Sequence, residues 1–336
     1  MMKFLRSRGI DPSLHTYGIT ALSYMAYGLF GSMIIGLIIK TIGEHAHIPF
    51  FVTIGAAAIA TYGAAIGGAV SYGLKAPPLV IFASIACGAF AVEMGGGPAG
   101  AYVAAVIGTE FGKLVSKTTP VDIIVTPFVV LIAGGLSGNY IGILISEWMI
   151  WFGGLVNWSV EQNPFIMGIL VATLMGLALT APISSAAISI MLGLDGLAAG
   201  AATIGCSAQM IGFAAASFRD NGIGGVIAQA VGTSMLQIPN IVRRPLILIP
   251  PTVAGIFLAP VGTVWWGMEN VKEGAGMGTS GFVGQIFTLN TMGMSADVWL
   301  KIAVLHIIGP AVISLLLSEW MRRMKWIRPG DMRLDL

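Results

Sequence analysis

The 336-residue chain is 56% hydrophobic and 10% charged, with 17 Lys plus Arg against 15 Asp plus Glu. A soluble domain carries about a quarter charged residues, so these side chains are too few to cover a water-facing surface, and most of the exterior is expected to face lipid. A net charge of +2 with no basic stripe of interleaved aromatics excludes nucleic-acid binding, and the absence of GxSxG, HExxH, Walker-loop and CxxC motifs leaves no hydrolytic, redox or nucleotide-driven machinery in view.

Lys3, Arg6 and Arg8 precede an apolar run longer than the 7–15 residue core of a signal peptide, which predicts a retained first span. Further apolar segments follow, so that about ten are predicted: 16–40, 50–73, 77–94, 96–115, 121–152, 164–194, 196–218, 244–266, 277–293 and 297–320. The expected fold is an all-α polytopic membrane protein whose roughly ten spans include re-entrant hairpins. Breaks are expected at Thr126-Pro127, at Thr180 to Ser185 and at Ile249 to Thr252, because irregular backbone survives in lipid only beside protein or a wet cavity. Residues 219–244 are amphipathic, carrying Arg219, Asp220, Asn221, Gln229, Gln237 and Asn240; they read as a surface linker between halves or as a polar-lined span. Arg322, Arg323, Lys325, Arg328 and Arg333 follow the last span, which places both termini in the cytoplasm and requires an even number of crossings.

The 46 glycines suit helices packed backbone to backbone, and Gly63/Gly67 and Gly196/Gly200 have GxxxG spacing. Cys87 and Cys206 lie in apolar runs as packing residues. His45 and His47 lack further ligands, so neither a metal site nor a cofactor is assigned. Thr53-Ile54-Gly55 recurs as Thr203-Ile204-Gly205, with Gly18-Ile19, Met25 and Leu29 repeated at Gly168-Ile169, Met175 and Leu179. This offset of 150 residues predicts two pseudo-symmetric, inverted membrane repeats, 1–160 and 161–336. Chance identity in low-complexity sequence is the competing explanation.

Two glycine-rich turns carry the chemistry: Glu93-Met94-Gly95-Gly96-Gly97-Pro98, and Glu273-Gly274-Ala275-Gly276-Met277-Gly278-Thr279-Ser280-Gly281. Each sets a carboxylate beside backbone that cannot form a regular helix, the mixture of groups that binds a sugar or polyol. The other possibility for both is an exposed loop with a solvated Glu. Candidate solute-binding residues are Glu93, Gly95, Gly96, Gly97, Gln209, Glu273, Gly274, Thr279, Ser280, Asn290 and His306. His306 reads equally as a satisfied interior histidine, Glu110 with Lys113 as a helix-end ion pair, and Asp122 as a helix cap.

Gly95 to Gly100, Thr119 to Pro127 and Glu273-Gly274-Ala275 together resemble the membrane subunit, EIIC, of the bacterial phosphoenolpyruvate:sugar phosphotransferase system, in its fructose and mannitol branch. Gly274 to Gly281 is similar to the glycine-rich segment of stand-alone proteins related to the perfringolysin regulator PfoR. The resemblance implies a homodimeric permease in the bacterial plasma membrane, one half a dimer scaffold and the other carrying sugar across. It also implies substrate binding by the Glu of a GITEGA-like motif, of which Glu273, Gly274 and Ala275 match while Asn270-Val271-Lys272 depart. A complete system passes phosphate from a histidine to a soluble-domain cysteine and then to sugar. This chain ends at Leu336 without such a domain, so any phosphorylation is expected to need separate phosphocarrier proteins docking at the cytoplasmic face. The expected function is alternating-access, elevator-type transport of a sugar-like solute. The alternatives are a sensor of the perfringolysin-regulator type that transports little, and an ion-coupled carrier of an organic anion using Lys272 or Arg219.

Overall fold

The computed structural model describes residues 2–13, 15–181 and 184–334. Long apolar runs give the backbone no partner in lipid except itself, and every named element is a helix; among the described residues, the one departure is an isolated antiparallel bridge between Gly196 and Asn270. The chain forms two compact units, Met1–Met149 and Ile150–Leu336.

The first unit holds α1 (Met2–Ser7), α2 (Thr16–Glu44), α3 (Pro49–Ala60), α4 (Tyr62–Gly73), α5 (Pro78–Glu93), α6 (Gly97–Val115) and the start of α7 (Asp122–Val160). Proline opens α3 and α5 and follows Gly97 in α6, where a missing N–H costs nothing. The GxxxG pair works as expected: a Cβ on Gly67 would overlap the Ser84 carbonyl, and one on Gly63 would press on Gly88 and Val92, so α4 and α5 cross backbone to backbone. The core beneath holds Val80, Cys87, Ala91, Ala104 and Val130. Asp122 opens α7, its Oδ1 accepting the Lys117 N–H and the Thr126 hydroxyl, each at 2.7 Å; neither is a first-turn N–H of the helix, so these bonds tie the preceding turn to the helix and do not make the expected cap. The helix continues through Pro127, so no break appears there.

The second unit continues with α8 (Pro164–Thr180), α9 (Ser185–Leu192), α10 (Gly196–Ala216), α11 (Phe218–Ile227), α12 (Ile238–Arg243), α13 (Pro245–Trp265), α14 (Lys272–Ala275), α15 (Val283–Met292) and α16 (Ala296–Arg323). Helix α10 is its axis, buried against α8, α13 and α16. At the second GxxxG pair only Gly200 makes a close crossing, against the Met268 carbonyl; Gly196 supplies a φ of +54° at the start of α10. The break after Thr180 is present, with Ser184 capping α9, although Pro182 and Ile183 lie outside the described residues. Residues 219–244 lie within this unit, and Gln229, Gln237 and Asn240 are buried there.

Five described helices, α2, α7, α10, α13 and α16, are long and apolar enough to cross a bilayer; α3 and α4, bent by 53°, make a sixth if counted as one span. The remaining predicted segments hold shorter helices. Segment 77–94 is the 16-residue α5, and 277–293 contains only the ten residues of α15 after an irregular turn.

Candidate functional site

In the second unit two interruptions of helical structure meet. Helix α9 ends at Gly193, whose left-handed φ of +61° turns the chain through Leu194 and Asp195 into α10. Opposite it, residues 266–271 run without helix into the single turn of α14, and the Asn270 N–H donates to the Gly196 carbonyl at 3.2 Å. Between them lies a cleft of about 240 Å³ lined by Gly193, Leu194, Asp195, Val271, Lys272 and Glu273. Asp195, Lys272 and Glu273 are exposed, so two carboxylates and one ammonium face a space scaled to a small polar molecule.

The walls are fixed by buried polar groups. Ser185 Oγ donates to the Gly276 carbonyl at 2.7 Å and Ser189 Oγ to the Lys272 carbonyl at 2.6 Å, tying α9 to the turn that carries Glu273. Asn270 is the keystone. Its Nδ2 lies 2.8 Å from Thr203 Oγ1, 3.0 Å from the Gly284 carbonyl and 3.1 Å from Thr288 Oγ1, while its Oδ1 accepts the Val271 N–H at 2.8 Å. Asn270→Leu would take a donor from Thr203, Gly284 and Thr288, which keep other partners, and would leave the Val271 N–H without its acceptor, a loss of about 1–3 kcal/mol. We expect this variant to unfold up to about 10 °C lower, from a few degrees per kcal/mol, in a melt of the detergent-solubilised protein. A shift under about 2 °C would show that the turn does not depend on this amide.

The other candidates fall in three places. Glu93, exposed, ends α5 in the first unit; Gly95 and Gly97 take φ of +85° and +55° in the tight turn to α6, and Gly96 is buried. Gln209 is spent inside the bundle, its Nε2 donating to Thr252 Oγ1 at 2.9 Å and its Oε1 lying 3.3 Å from Thr180 Oγ1. Thr279, Ser280 and His306 are buried behind the cleft-bearing turn, and Asn290 is exposed on α15. Thr279 Oγ1 donates to the Ala230 carbonyl, and Gly274 is backed by Asn270 and Phe287. Gln285 Nε2 lies 3.2 Å from His306 Nδ1 and 3.4 Å from Ser207 Oγ. With the amide nitrogen donating, Nδ1 accepts and the ring proton sits on Nε2. His306 Nε2, Gln285 Oε1 and Ser280 Oγ are buried without a partner among the described residues.

Asp195 and Asn270 are not among the residues that the sequence pattern marks for the site. Gly193-Leu194-Asp195-Gly196 is a turn signal that could have revealed Asp195. Asn270 departs from the GITEGA-like motif, but its role depends on partners distant in sequence. Glu110 and Lys113 form the expected pair, 3.3 Å apart one helical turn from each other.

A family model described as "Phosphotransferase system, EIIC" matches residues 19–334. No curated protein and no solved structure matches the chain. With nearly its whole length matched and its long apolar helices in place, the chain belongs to the EIIC family of the phosphotransferase system and is a multi-pass membrane component of a sugar permease.

Proposed function

We propose that the cleft of the second unit holds the sugar, with Glu273 and Asp195 accepting hydrogen bonds from its hydroxyl groups and Lys272 donating to them. The observation that carries this is the placement of two exposed carboxylates on interrupted helical backbone, in one cleft whose walls are pinned by Ser185, Ser189 and Asn270. Two acids to one base disfavour an organic anion. Ser280, Gln285 and His306 provide a deeper set of donors and acceptors in the same unit, which a hydroxyl-bearing occupant would satisfy. The proposal includes Glu93 with Gly95, Gly96 and Gly97, whose turn offers a carboxylate beside non-helical backbone in the first unit, and the exposed Asn290.

Transport is by alternating access of the elevator type, the second unit moving and the first serving as scaffold in a homodimer. Two inverted repeats are proposed from the recurrence of Thr53-Ile54-Gly55 at Thr203-Ile204-Gly205, where both glycines sit at close crossings, though against positions that the offset does not match, Gly36 and Ala172. Cytoplasmic termini are supported by the basic end of the first unit, where Arg8 donates to the Ser116 carbonyl and Lys113 to that of Gly9. Separate phosphocarrier proteins would dock on that side.

We put the dimer contact at the apolar groove of about 460 Å³ between α5 and α7, lined by Cys87 and Phe90 from α5 and by Leu131, Ile132, Leu136 and Asn139 from α7. Asn139 is half-buried there, and an amide facing lipid gains about 1 kcal/mol from an interhelical hydrogen bond. Asn139→Leu is expected to weaken dimerisation roughly fivefold in a dilution series followed by energy transfer between labelled protomers. An unchanged dissociation curve would move the contact elsewhere.

Uptake by reconstituted vesicles tests the whole proposal. Sugar flux that depends on phosphotransfer proteins supports it, flux driven by an ion gradient would indicate the anion carrier, and binding without flux the sensor.

A further inference from the structure

The C-terminal face of the second unit carries cations that sugar binding does not use. Residues beyond α16 fold back along the connector between α10 and α13, and Met332 is buried with Phe213, Ile247 and Met321. The Met332 carbonyl accepts from Asn221 Nδ2 at 2.8 Å and Gln237 Nε2 at 3.0 Å, and the Arg333 carbonyl from Asn240 Nδ2 at 2.8 Å. Gln237 also donates to Gln229 Oε1, and Asn240 to Gln237 Oε1, each at 2.8 Å. A satisfied buried network of this kind is rigid. The tail is therefore held flat, with its outward side chains at fixed positions.

The carboxylates of this face are already engaged: Asp331 by Arg244 at 3.6 Å, Asp220 by Arg322 at 3.4 Å and Glu319 by Arg219 at 3.1 Å. Arg243, Arg323, Lys325, Arg328 and Arg333 are exposed and have no ion pair among the described residues. Beside them Trp320 and Trp326, both about half exposed, meet edge to face with ring centroids 5.4 Å apart. The last long apolar helix ends at Arg323, so the ring pair falls at the boundary of hydrocarbon and headgroups, where indoles concentrate. Lys325 holds a φ of +62° just past that helix, a position usually filled by glycine. Lys325 follows Arg323 by two residues and precedes Arg328 by three, so the three exposed cations share the turn that ends the helix.

We propose that this face binds the headgroup of an anionic phospholipid, the phosphodiester against Arg323, Lys325 and Arg328 and the glycerol and upper methylenes against Trp320 and Trp326. Guanidinium groups match phosphate oxygens in pairs, and basic clusters next to a span attract anionic lipid. An acidic protein surface would satisfy the cations and leave the indole pair at the apolar boundary without a role, so the lipid is the better fit.

The test is native mass spectrometry of the delipidated full chain titrated with phosphatidylglycerol and, separately, with phosphatidylcholine of the same acyl chains. Wild type should retain phosphatidylglycerol preferentially. The R323Q/K325Q/R328Q variant should bind it at least fivefold more weakly with phosphatidylcholine unchanged, and its melting temperature should hold because none of the three side chains enters the amide network. Lys325→Gly separates fold from function in one residue: relieving the left-handed position should raise thermal stability while phosphatidylglycerol affinity falls two- to threefold. Equal retention of the two lipids by wild type, or undiminished phosphatidylglycerol binding by the triple variant, overturns the proposal. If the triple variant keeps the lipid and loses uptake dependent on phosphotransfer proteins, the face belongs to a protein partner and the lipid assignment fails.

Discussion

Glu273→Gln is expected to lower sugar affinity about 10- to 100-fold while leaving the melting temperature of the ligand-free protein within about 2 °C of wild type. Glu273 is exposed in the cleft beside Asp195 and Lys272, and no hydrogen bond of the described fold depends on its carboxylate. Its loss removes a charged acceptor, and hydrogen bonds to charged groups contribute about 1.5–3 kcal/mol, or one to two powers of ten in dissociation constant. Thermal stabilisation by a panel of monosaccharides and polyols reads this directly. The same measurement on Asp195→Asn should show a similar loss. Ligand-induced stabilisation that survives both Glu273→Gln and Asp195→Asn would remove the sugar from this cleft.

Gly205→Ala is expected to be the more damaging change to the fold. Gly205 lies on the buried face of α10, where the added methyl would overlap the carbonyl of Ala172 on α8. That obstacle is backbone, not the end of a flexible side chain, so the two helices must separate, and overpacking of this kind costs about 1–3 kcal/mol or more. The expected result is a melting temperature lowered by roughly 5–10 °C, at a few degrees per kcal/mol, or failure to accumulate in the membrane. Gly31→Ala is the matched control. Gly31 has nothing within 4 Å of its missing Cβ, so the substitution should be neutral or slightly stabilising because alanine loses less backbone freedom than glycine in a helix. Similar melting curves for the two variants would mean that close helix crossing does not hold the second unit together.

Class and helix boundaries were legible where local chemistry admits one answer. Charge too sparse for a watery surface fixed the solvent, and Pro49, Pro78 and Pro164 mark helix starts because proline is free of penalty only in the first turn. Pro127 misled for the converse reason. It lies near the start of a 39-residue helix, where the surviving hydrogen bonds on either side carry the chain through. The bend at Thr61 has neither proline nor an adjacent pair of glycines to announce it. The connector was ambiguous because an amide is equally at home against water or against another amide. Only the folded chain shows Gln229, Gln237 and Asn240 bonded to one another and to the tail. In the site, Glu273 was legible from the glycines around it. Asn270 was not, since pinning a turn from within requires partners on α10 and α15 that are distant in sequence.

Cys87 and Cys206 are both free thiols, 1% and 0% exposed. Water-soluble maleimides cannot reach them in the native fold, so the wild-type background needs no cysteine removal before a reporter thiol is introduced. A cysteine placed at Asp195 or Glu273 would then report, through its labelling rate from either side of the membrane, which compartment the cleft faces at each stage of the transport cycle.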